Sequence, residues 1–135
     1  MIKQLTQYIE SNVAGLTIGT NLFAGDIEID KPDDCVLVLE SVPATRNYVV
    51  PYLSRVPIQF MVRDTEYMKG RDTAETIHDL FVGREHTHIL LSATASGESS
   101  YLVNSCTGNK PFSLGRDEKG RHLFSLNLTF HLEEQ

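Results

Sequence analysis

At 135 residues, 41% hydrophobic and 22% charged, the chain is one domain of ordinary size with a single core and little to spare. Eighteen acids against twelve bases leave a net charge of −6. Gripping DNA or RNA depends on Lys and Arg against phosphate, so this balance argues against a nucleic-acid binder.

No apolar run approaches the roughly 18 residues of a membrane span. Met1-Ile2-Lys3-Gln4 opens an amphipathic helix and not a signal peptide, so the chain is expected to stay in the cytoplasm where it is made. Ile2, Leu5, Ile9 and Val13 recur at helical spacing with Tyr8 beside them, and Gly15 follows as a stop. That predicts a first helix over about residues 2–13. Leu22-Phe23-Ala24 is a candidate short strand. Residues 35–39, a continuous apolar run between Asp34 and Glu40, read as a central strand buried on both faces. Over residues 55–63 the pattern alternates, with Val56, Ile58, Phe60 and Val62 on one side. Pro57 cannot donate a ladder hydrogen bond, so it belongs near the start of that strand or at an edge.

A second helix is predicted over about residues 66–82, capped by Asp64 or Thr65 and stopped by Gly83. Its inner face is Tyr67, Gly70, Ala74, Ile77 and Phe81, with Leu80 alongside. Gly70 and Ala74, one turn apart, allow a close approach to the sheet. Residues 88–91 form a further short strand, 92–100 are small, polar and expected to be mobile, and 101–106 form a strand that pairs with the last one. Asp117-Glu118-Lys119-Gly120 is a turn. After it Phe124, Leu126, Leu128, Phe130 and Leu132 alternate with Ser125, Asn127, Thr129 and His131, the period of a strand with one buried face. The expected class is α+β: a mixed or antiparallel sheet of about four to five strands with two helices packed against one face, all within one domain covering residues 1–135.

Chemistry is sparse in the sequence. His86 and His88 could share one side of a strand, but the remaining histidines, His78, His122 and His131, supply no recognisable ligand spacing, so a solvated loop is the plainer reading. Neither Cys35 nor Cys106 has a histidine near it in sequence, and no strained Ser turn or phosphate-cradling loop exists. Both cysteines are expected as buried free thiols. No enzyme activity, cofactor or metal is therefore expected. Asp26, Glu28, Asp30, Asp33 and Asp34 lack the glycine and terminal glutamate of an EF-hand loop. Residues 41–52 hold Val42, Tyr48, Val49, Val50 and Tyr52 between Pro43 and Pro51, with Arg46 among them. Two readings stand for this segment: it folds back on its own domain, or it is a protein-contact arm.

Four stretches resemble the bacteriophage minor capsid protein family, small virion proteins of long-tailed phages and prophages. They are Pro32-Asp33-Asp34-Cys35-Val36, residues 56–63, Ala74-Glu75-Thr76-Ile77-His78, and Pro111-Phe112-Ser113-Leu114-Gly115-Arg116-Asp117-Glu118-Lys119-Gly120-Arg121 with Phe124-Ser125-Leu126-Asn127 after it. The resemblance spans roughly residues 30–132. That family is similar to tail terminator proteins, which form rings that stop tail-tube growth and join tail to head. The resemblance implies a virion protein of the tail or head–tail interface, made in the host cytoplasm and assembled as a ring, most plausibly a hexamer. Its partners would be the tail-tube protein and the head connector, with DNA passing through without specific binding. A minor component of the capsid vertex is the alternative structural role, and a small ligand-binding or enzymatic protein the alternative of another class. Tyr48, Val49, Tyr52, Arg116 and Arg121 are the candidate partner contacts. Asp26, Glu28 and Asp30, if extended, share one face, which reads either as a solvated strand face or as a channel lining that repels the DNA backbone.

Overall fold

A computed structural model describes residues 1–25, 32–46, 49–50, 52–82 and 89–135. The chain runs α1 (Ile2–Asn12), β1 (Leu22–Ala24), β2 (Cys35–Glu40), β3 (Thr45–Arg46), β4 (Leu53–Asp64), α2 (Tyr67–Phe81), β5 (Ile89–Leu91), β6 (Tyr101–Gly108), β7 (Phe112–Arg116) and β8 (His122–Glu134). The eight strands make one sheet in the order β1-β2-β4-β8-β6-β5, with β3 on β4 and β7 on β8. β1 and β2 are parallel, and the other strand pairs are antiparallel. The class is α+β and the sheet mixed, as expected, but four to five strands is corrected to eight. The surplus has a physical cause. The short strands β1 and β5 were anticipated, but β3 is two residues long, and a run that short shows no period. β7 is exposed at every position, so no buried face marks it.

The β4–β8 ladder is the spine. All twelve residues of β4 have partners on β8, from Leu53 opposite Glu133 to Asp64 opposite His122. Alternation places Ile58, Phe60 and Val62 with Leu126, Leu128, Phe130 and Leu132 on the helix side, all buried in one cluster with Leu5 and Ile9 of α1 and Ala74, Ile77 and Phe81 of α2. The Phe81 ring stands edge-on to Phe130 at 5.1 Å. Each fully buried side chain of this size contributes roughly 1.5–3 kcal/mol.

Helix and sheet approach closely at Gly70. A Cβ there would lie 2.8 Å from Cε2 of Phe124 and 2.9 Å from Cβ of Asp64, so the glycine predicted to permit contact is required for it. Glu66 caps α2 without a side-chain bond. Asp64 accepts the Glu66 N–H at 2.8 Å and Asp34 accepts the Thr65 N–H at 3.0 Å. The expected stop at Gly83 lies outside the described residues.

Pro57 shows how a central strand tolerates proline. Ser41 donates its N–H to the Pro57 carbonyl at 3.4 Å. In an extended strand a residue's N–H and C=O point to the same side. The missing N–H of Pro57 therefore faces the gap between Glu40, where β2 ends opposite Ile58, and β3, where Thr45 lies opposite Arg55. Residues 92–100, expected to be mobile, are tied down. Ser99 donates to Glu134 at 2.7 Å, Gln4 donates to the Ser99 carbonyl at 2.9 Å, and Lys3 pairs with Glu98.

Candidate functional site

The two segments singled out as contact regions sit at opposite ends of the β4–β8 ladder. Twelve residues at about 3.4 Å each separate them by roughly 35–40 Å. Residues 41–52 lead into the Leu53 end, where Glu134 donates its N–H to the Tyr52 carbonyl at 3.0 Å. The β7–β8 turn lies at the Asp64 end, since Arg116 pairs with His122, which pairs with Asp64.

At the first end Val49 is 84% and Tyr52 53% exposed. Thr45 and Arg46 form β3, opposite Arg55 and Ser54, so part of the segment does fold back on its own sheet while Val42, Val49 and Tyr52 stay exposed. Tyr48 lies outside the described residues.

The other end is built by its turn. Gly120, at a φ of +79°, donates its N–H to the Asp117 carbonyl at 3.0 Å, and Asp117 Oδ1 accepts the N–H groups of Lys119 and Arg121 at 3.0 and 2.9 Å. Desolvation pushes the Asp117 pKa up, but these donors and the Arg121 guanidinium outweigh it and hold the carboxyl below its usual range. Arg121 is buried, its Nε 2.7 Å from Asp117 Oδ2 and its Nη1 3.1 Å from Asp33 Oδ1. Desolvation lowers its pKa and the two carboxylates raise it; the carboxylates prevail. Arg121, expected as a partner contact, is instead held by two carboxylates of its own chain and pins the turn to the residues before β2. Arg116 is exposed.

Sequence reasoning missed Phe112 and Leu114, which are 51% and 48% exposed on β7. Their spacing mimics a buried strand face, and nothing local reveals that no layer covers them. Met68 is also exposed and Tyr67 half-exposed, its ring 5.4 Å from that of His122.

The other candidates separate. Asp26, Glu28 and Asp30, and the pair His86 and His88, lie outside the described residues. Among the described residues no group of three metal-ligating side chains forms. His78 is buried with Nδ1 2.9 Å from Asp79. Cys35 in β2 and Cys106 in β6 are free thiols; β4 and β8 lie between them, about 14 Å across the sheet, and the register sets them a further seven residues apart along it, too far for a disulfide. Burial raises the Cys35 pKa and pushes that of Cys106 up to about 12, so neither is a ready nucleophile. No helix among the described residues is long and apolar enough to cross a membrane.

No curated protein matches the chain. Residues 8–134, nearly its whole length, match the family described as bacteriophage tail terminator protein, and the chain belongs to that family.

Proposed function

We propose that this phage tail protein closes into a ring of six copies that docks on the last ring of the tail tube. There it covers the polymerising face and offers a new face to the head connector. The role is steric and adhesive and asks no catalysis of the chain. The observation that carries it is the pair of opposed contact ends on one rigid ladder. Thr45, Arg46 and Tyr52 lie at one end and the β7–β8 hairpin at the other, roughly 35–40 Å away. A protein that ends one polymer and starts a junction needs two separate adhesive surfaces held at a fixed distance, and a continuous antiparallel ladder provides that stiffness. Membership of the tail terminator family supports the same reading.

The net charge of −6 suits a passage that DNA traverses without sticking. Native mass spectrometry of the purified chain, with electron microscopy of isolated tails, tests the ring. Six-copy species and a ring at the tail end are expected. A monomer at every concentration together with bare tail ends would refute it.

A further inference from the structure

Only one edge of β7 is partnered. β4 pairs with β8 on one side all the way from His122 to Glu133, so β6 and β7 both lie on its other side, β7 opposite β8 residues 122–125. β5 covers β6 at residues 101–103, and among the described residues no strand pairs with the far edge of β7. Such an edge turns N–H and C=O groups outward and is a template for pairing. Natural edges are commonly blunted by charge, yet Phe112-Ser113-Leu114-Gly115 carries none and is exposed throughout. Geometry limits it instead. Pro111 has no N–H to offer, and the register shift between Ser113 and Gly115 breaks the flat run. Both bar open-ended pairing and leave room for one short strand.

The register also sets the side chains such a strand would meet. Phe112 is opposite Ser125, whose own partner across the ladder is Met61, on the face away from the helices. Arg116 is opposite His122, two residues before core Phe124 on β8 and therefore on the helix side. A strand laid on this edge thus has an apolar ring beside it on one face and a guanidinium on the other. Residues 104–116 hold Lys110 and Arg116 and no acid. Neither cation forms an ion pair among the described residues, and the next acid, Asp117, is held by Arg121. In a chain of net charge −6 this is a local inversion of sign, and it fits carboxylates.

We propose that β7 takes up an extended segment of another virion protein in which apolar and acidic side chains alternate; this rests on the reading of the hairpin end as a junction surface. Main-chain hydrogen bonds to the open edge supply affinity, while the apolar side chains lie on the Phe112 face and the acidic ones on the Arg116 face. A second copy is the weaker match. β7 against β7 joins two edges of the same charge and leaves no carboxylate for either. The opposite edge of the sheet, β1, is already occupied by its own chain: Ile18 bridges Leu22, and Gly19 donates its N–H to the Leu22 carbonyl at 3.0 Å.

The test uses the full chain and a short synthetic peptide alternating valine with glutamate. One control carries lysine in place of glutamate. The other is N-methylated at two adjacent central amides, which blocks both of its edges because successive N–H groups point to opposite sides. Binding is read from the anisotropy of labelled peptide and from amide hydrogen exchange of the chain. The glutamate peptide should bind and slow exchange within Phe112–Arg116, and both controls should bind about tenfold or more weakly. Arg116→Glu, at an exposed position, should shift the preference toward lysine without moving the melt. Equal binding of the N-methylated peptide, or binding that leaves exchange in β7 unchanged, refutes strand addition. Exchange in β7 that slows with chain concentration alone makes a second copy the occupant and overturns the proposal. In the phage, Phe112→Ser/Arg116→Glu should disable one junction. Normal, joined tails from that variant would refute the junction reading itself, whereas failed junctions from a chain that binds no peptide would refute strand addition alone.

Discussion

Arg121 is buried against Asp117 and Asp33, while Arg116 of the same hairpin is exposed, so the two should respond differently to truncation. Arg121→Ala removes the guanidinium that two carboxylates share and should cost about 1–3 kcal/mol in a thermal or chemical melt. Arg116→Ala should leave the melt within error of wild type. Equal effects would contradict the division of labour. Glu98 supplies a pH test. Hydrogen bonds from Lys3 and Thr94 lower its pKa from 4.5 to about 2 in the folded chain. A depressed carboxylate contributes stability that is fully present above its unfolded pKa and is lost as pH falls through the folded one. Melting temperature should therefore drop between about pH 4.5 and pH 2, and Glu98→Gln should flatten that part of the profile. A variant whose profile parallels wild type would deny Glu98 this role.

Gly70 ties α2 to the sheet. An alanine normally favours a helix over glycine by about 1 kcal/mol. Here its methyl meets Phe124 and the Asp64 Cβ at 2.8 and 2.9 Å, and overpacking of this kind costs about 1–3 kcal/mol. Gly70→Ala should thus lower the denaturation midpoint; a raised midpoint would show that α2 shifts freely. The glycine's purpose was legible in the sequence because Gly70, Ala74 and Ile77 follow the helical period. β4 and β8 were legible for a similar reason: each has one buried face and enough residues to show alternation. β3 and β7 were not, since the first is too short for any period and the second has no covered side. Burial of His78 escaped notice because an imidazole next to Asp79 reads as surface. Arg121 and Arg116 looked alike in sequence, since the turn geometry that aims Arg121 at Asp117 and the tertiary neighbour Asp33 appear only in the fold.

At the scale of the molecule, exposed apolar groups stand at two distant ends of the ladder, as the proposed adaptor role requires. Replacing Val49 and Tyr52 with serine at one end, or Phe112 and Leu114 at the other, removes no core contact, so the melt should hardly move. Each pair should nevertheless disable one junction. The contact reading fails if such variants fold and function as wild type, or if they unfold. What could not be read from the sequence is that these groups lie at opposite ends of one ladder, because the β4–β8 register depends on pairing between residues far apart in the chain. The most direct measurement is tail length in a phage lacking this chain, with and without the chain resupplied. Overlong tails without heads, returning to uniform length and joining heads on resupply, are the expected result. Tails of normal length in its absence would contradict termination as its role.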